Sequence, residues 1–81
     1  MHIQLINTEF NSVDALEIIG QMIQVKIRYH ENKIAKNSNE EDIKYREAKI
    51  KRLQKELYDL RSNLTGKEGN VKLDATIKIE A

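Results

Sequence analysis

Ile43, Ile50, Leu57 and Leu64 recur at seven-residue intervals with Arg46, Leu53 and Leu60 between them, so this segment carries an a/d seam. Such a seam requires a facing helix with a stripe of its own. The chain has one. Leu16, Gly20, Ile23, Ile27, His30 and Ile34 fall at steps of three and four, and the stretch KNSNEED between the two segments leaves room for a tight helix-to-helix turn. In an antiparallel pair, facing residues keep a constant index sum. A sum of about 77 sets Ile34 against Ile43, Ile27 against Ile50, Gly20 against Leu57 and Val13 against Leu64. Ile23 then meets Leu53, and Leu16 meets Leu60. On this register Gly20 is small because Leu57 packs against it.

The register also decides an ambiguity. Ile23, Val25, Ile27 and Tyr29 alternate with Gln24, Lys26, Arg28 and His30, as in a half-buried strand. A strand would not match the facing seam along its whole length, so residues 12–36 read as one helix and residues 39–64 as the next. Asn11 or Ser12 offers the first N-cap, and Asp14 favours the positive end of the helix dipole. Ser38 and Glu41 have capping-box spacing, and Asn37 can close the preceding helix. On the outer faces, Glu40 and Lys44, Asp42 and Arg46, and Glu47 and Lys51 stand acid before base at i,i+4.

Two strands flank the hairpin. HIQLIN alternates Ile3 and Leu5 with His2 and Gln4, placing a strand in residues 1–10. Thr65, Gly66 and Gly69 stop the second helix. In residues 71–81, Val71, Leu73, Ala75, Ile77 and Ile79 alternate with Lys72, Asp74, Thr76, Lys78 and Glu80, the clearest strand pattern in the chain. The expected fold is α+β in the order β-α-α-β. It is one domain over residues 1–81, a long antiparallel helical hairpin with a small terminal sheet, completed in a homo-oligomer.

The need for completion follows from a second stripe on the first helix. Ala15, Ile18, Ile19, Met22, Val25 and Tyr29 lie beyond what one facing helix can cover. The strands can supply an apolar face, so that the first helix lies between the second helix and a sheet. A sheet of two strands is marginal alone and offers open edges. A chain of 81 residues buries only about 60% of its unfolded surface. With Cys 0 and His 2, neither disulfides nor a metal can make up the deficit, so association is the remaining route. The expected interface comprises Ile18, Ile19, Met22, Val25 and Tyr29 with Leu73, Ile77 and Ile79.

Lys plus Arg number 14 against 13 Asp plus Glu, leaving a net charge of +1, so no global field draws the chain to a nucleic acid or membrane. No apolar run approaches a signal peptide or the ~20 residues of a membrane span. The absence of cysteine fits a reducing compartment. A cytoplasmic protein is expected.

The chemical inventory is thin. His30 falls in the seam opposite Arg46 and Glu47, where a hydrogen bond to Glu47 would set the hairpin register. Lys26 lies one turn earlier, beside Tyr29, at the rim of the apolar arc. Lys44, Lys51 and Lys55 align with Ala48 and Tyr58, near Arg52, in a stripe able to hold phosphates; Glu47 and Asp59 flank it, as on an ordinary solvated face. No Gly-rich phosphate loop, zinc spacing or nucleophile motif is present. Glu40, Glu41 and Asp42 at a helix start are explained by the dipole. No catalytic residue, cofactor or metal is expected.

The sequence favours a small, non-enzymatic, homo-oligomeric interaction protein that binds or sequesters another macromolecule. The alternative is a module, suited in size to a phage-encoded factor, that captures nucleic acid or a small anionic nucleotide with Lys26, His30, Lys44, Lys51 and Lys55.

Overall fold

A computed structural model describes residues 1–36 and 39–81. The order is β1 (His2–Asn11), α1 (Ser12–Ala35), α2 (Glu40–Leu64) and β2 (Asn70–Lys78). The helices form an antiparallel hairpin, and the two strands pair antiparallel.

Side chains cap both helix starts. Asn11 accepts from the Asp14 amide at 2.8 Å, so Asn11 is the N-cap of α1. The adjacent Ser12 hydroxyl instead donates to the Lys67 carbonyl at 2.9 Å, tying the start of α1 to the loop after α2. Asn39 is the N-cap of α2 and accepts from the amides of Glu41 and Asp42 at 3.0 and 3.2 Å. The capping box expected from Ser38, and the closing role of Asn37, lie outside the described residues. α2 ends where Thr65 donates its amide to the Arg61 carbonyl at 2.9 Å. Gly66 and Gly69 then adopt φ of 79° and 81°, which L side chains rarely tolerate, and turn the chain into β2.

Two contacts report the register of the helix pair. A Cβ built on Gly20 would lie 3.6 Å from Leu57 Cδ1, and His30 Nδ1 lies 3.1 Å from Arg46 Nη1. Both pairs sum to within one of the expected value. The closed middle of the seam holds Ile27, Leu53 and Leu57, all buried. Toward the glycine turn the seam opens. Val13 is 72% exposed, and it shares a hollow of about 210 Å³ with Leu16 and Leu64.

β1 departs from simple alternation. Ile3 pairs with Ile77 and Gln4 with Thr76, but Ile6 pairs with Ala75, so Leu5 is an extra residue, a β-bulge. The bulge has a cause in the pattern. Ile3 and Ile6 are an odd step apart, and one inserted residue lets Ile3, Ile6, Thr8 and Phe10 all oppose the apolar row Ile77, Ala75, Leu73 and Val71. The expectation that Ile3 and Leu5 form one uninterrupted alternating face is thereby corrected. Beyond the strand ends, Met1 and Ile79 exchange both backbone bonds, at 2.7 and 3.0 Å.

α1 lies between α2 and the sheet, and no Cα of α2 comes within 8 Å of a strand Cα. Ala15, in the first turn of α1, is fully buried, whereas Met22, Val25, Ile77 and Ile79 are 36%, 60%, 44% and 47% exposed. On the second apolar stripe of α1 and along the apolar row of β2, exposure is thus higher away from the corner where β1 passes into α1. The residues exposed there make an apolar surface on α1 and on the sheet. The molecule is flat, 47 × 33 × 14 Å.

Candidate interaction surface

The exposed apolar surface has a part on α1 and a part on the sheet. On α1, Ile18 and Ile19 are half-buried near the corner, and Met22, Val25 and Tyr29 are exposed farther out. On the sheet, Leu73 is half-buried, and Ile77 and Ile79 are exposed. β1 contributes residues not assigned to the interface from sequence. Ile3 and Leu5 are 36% and 48% exposed, while Ile6 and Phe10 are half-buried. Their signal was the phase change between Leu5 and Ile6, which a search for one alternating period passes over.

The chain as a whole exposes more surface than a compact one. The chain exposes 6483 Å², whereas a compact monomer of 9.5 kDa exposes about 5,000 Å² by size scaling. The radius of gyration is 15.4 Å, against about 12 Å for a compact chain of this length. The excess of roughly 1,400 Å² exceeds the ~800 Å² that each partner buries in a standard stable interface. Among the described residues, only Ala15, Ile27, Leu53 and Leu57 form the buried hydrophobic core.

A polar layer closes the helix pair near its turn. Arg46 lies at a seam position, so its guanidinium enters between the helices, with Nε 3.1 Å from Asp42 Oδ2 and Nη1 3.1 Å from His30 Nδ1. Arg46 has no acceptor, so His30 must accept through Nδ1, which assigns the proton of the neutral ring to Nε2. The hydrogen bond expected between His30 and Glu47 is replaced by this one. Glu47 follows the seam position and is exposed, whereas Arg46 points inward. The Tyr29 ring meets His30 edge-on at 5.4 Å, with Lys33 Nζ and Arg46 Cζ 5.7 and 5.8 Å from its centroid. The cations around Tyr29 are therefore Lys33 and Arg46, and Lys26 stands exposed in no ion pair among the described residues.

The basic stripe is exposed to solvent. Lys44, Lys51 and Lys55 are all exposed, and among the described residues none is within ion-pair distance of a carboxylate. Of the three i,i+4 pairs expected on α2, Asp42 with Arg46 closes, helped by the partial burial of the arginine. The others stay open, as exposed pairs of small net worth can. Tyr45, Ala48, Lys49 and Arg52 line a shallow hollow of about 200 Å³ on this side. Among the described residues, no three His, Cys, Asp or Glu side chains come together as a metal site, and no helix is long and apolar enough to cross a membrane. Comparison with protein families, with characterised proteins and with solved structures gives no match, so any functional reading rests on this chain's own residues.

Proposed function

We propose that this chain is a small, non-enzymatic, cytoplasmic interaction protein that works as a homo-oligomer and binds or sequesters another macromolecule. The observation that carries this reading is the excess surface. About 1,400 Å² more than a compact chain would show coincides with exposed apolar side chains at Met22, Val25, Ile77 and Ile79. A second copy is the occupant that fits, because it presents the same excess, and an isologous contact hides both at once. The charged outer faces of the helices would remain free for the other macromolecule.

Sedimentation at micromolar concentration tests the first half, with a dimer or larger species expected. A stable monomer at that concentration overturns the oligomeric reading. The second half is tested by capture from the native host at rising salt. Binding that persists supports a protein partner, whereas binding that fades steeply with ionic strength and vanishes on charge reversal of Lys44, Lys51 and Lys55 transfers the function to an anionic ligand.

A further inference from the structure

We infer that the outer edge of β2 pairs with β2 of a second copy, antiparallel about a two-fold axis through Thr76, giving a four-stranded sheet in the order β1-β2-β2-β1. The inference rests on the proposed self-association and specifies its geometry.

The backbone limits the choice of register. Met1 and Ile79 exchange both their hydrogen bonds, so the N–H and C=O of Ile79 point to β1. Along a strand these groups alternate sides. The bulge lies in β1 and inserts nothing into β2, so odd-numbered residues of β2 face β1, and Lys72, Asp74, Thr76 and Lys78 direct their backbone groups outward. In an antiparallel pair of identical edges, outward-facing residues must oppose one another. The two-fold axis therefore passes through a residue position, with index sums that are even.

Charge then selects among these registers. An axis at Asp74 sets that carboxylate against itself, and one at Ala75 sets Lys72 against the partner's Lys78. An axis at Ile77 sets Asp74 against the partner's Glu80, and one at Lys78 opposes two ammonium groups. The Thr76 axis places Lys72 opposite the partner's Glu80 and Asp74 opposite the partner's Lys78. Each pair occurs twice, around a central Thr–Thr pair. Opposite charges and Thr–Thr pairs directly across are favourable, and like charges are not. An axis at Leu73 also avoids like charges, but it uses only Asn70 to Thr76 and forms two ion pairs instead of four. Lys78 and Glu80 already lie side by side, 2.8 Å apart and largely exposed.

The apolar row agrees with this choice. About Thr76, Ile79 lies beside the partner's Leu73 and Ile77 beside the partner's Ala75. The exposed tip of each sheet is set next to the half-buried part of the other, where the partner's α1 is close. The β1 edge is the weaker candidate, because its bulge at Leu5 breaks the regular row of donors and acceptors.

The chain has no cysteine, so single-cysteine variants report the register directly. Opposed residues of a hydrogen-bonded antiparallel pair have Cα atoms about 5.5 Å apart, within the span of a disulfide. Under mild oxidation the Thr76→Cys variant should form a covalent dimer, and Leu73→Cys, Asp74→Cys and Lys78→Cys should not. An equimolar mixture of Asp74→Cys and Lys78→Cys chains should cross-link to each other. In parallel, Asp74→Lys or Lys78→Asp alone should weaken the dimer about tenfold or more, and the double variant should restore it. A sedimenting dimer in which Thr76→Cys fails to cross-link, or in which Leu73→Cys does so instead, overturns this register and leaves the oligomeric reading standing. A wild-type monomer overturns both.

Discussion

Replacing Gly20 by alanine should stabilise the protein. Gly20 lies inside α1, a 24-residue helix, where glycine costs about 0.8–1.0 kcal/mol relative to alanine through backbone entropy. The added Cβ would lie 3.6 Å from Leu57 Cδ1, an ordinary van der Waals contact, and Gly20 borders an open groove of about 400 Å³ with Val13, Leu16 and Leu57. The methyl group therefore fits without displacing the seam and covers part of Leu57. A half-buried methyl adds a few tenths of a kcal/mol, for a total near 1–1.5 kcal/mol. For a domain of this size that corresponds to a rise in Tm of about 5–10 °C, read by thermal circular dichroism at a protein concentration where sedimentation shows the same species for both variants. The sequence alone suggests that Gly20 must be small to admit Leu57. The geometry relaxes that to the need for something no larger than the space beside Leu57. A Tm that falls or stays level for Gly20→Ala would show that the helices pack closer at this layer, refuting the reasoning. Gly66→Ala supplies the opposite sign in the same assay, because φ of 79° penalises any Cβ by about 1–2 kcal/mol.

Other outcomes follow from individual contacts. Asn39→Ala removes an acceptor shared by two amides and should cost about 1 kcal/mol in chemical denaturation. Arg46→Ala strips His30 and Asp42 of a common partner in the half-buried layer; a loss of about 1–3 kcal/mol is expected, and a neutral result would mean the layer is held by water instead. Leu57→Ala empties a buried core position and should cost about 2–5 kcal/mol, enough to unfold much of the population at 37 °C. Deleting Val71 to Ala81 should abolish oligomerisation or folding, whereas reversing Lys44, Lys51 and Lys55 should leave the sedimenting species unchanged.

The sequence by itself determined the elements and the way the helices face each other. The a/d seam from Ile43 to Leu64 and the stripe from Leu16 to Ile34 carry one index sum, and that sum reappears in the contacts of Gly20 with Leu57 and His30 with Arg46. Periodicity succeeds here because it records which way each side chain points relative to its own axis, and two long stripes joined by a short turn can meet in only one register. The tertiary structure alone decided the rest. The bulge at Leu5 arises because β1 must bring two phases of apolar residues onto one row of β2, a demand made by the partner strand. Arg46, not Glu47, meets His30 because the choice between adjacent residues depends on the rotation of one helix about its axis, which a heptad pattern specifies only coarsely. The burial of Ala15 near the corner and the exposure of the stripe beyond it are likewise set by tertiary packing. A stripe of apolar residues states that Met22, Val25, Ile77 and Ile79 need cover, but the packing of the elements determines whether the same chain provides it. Here all four are exposed.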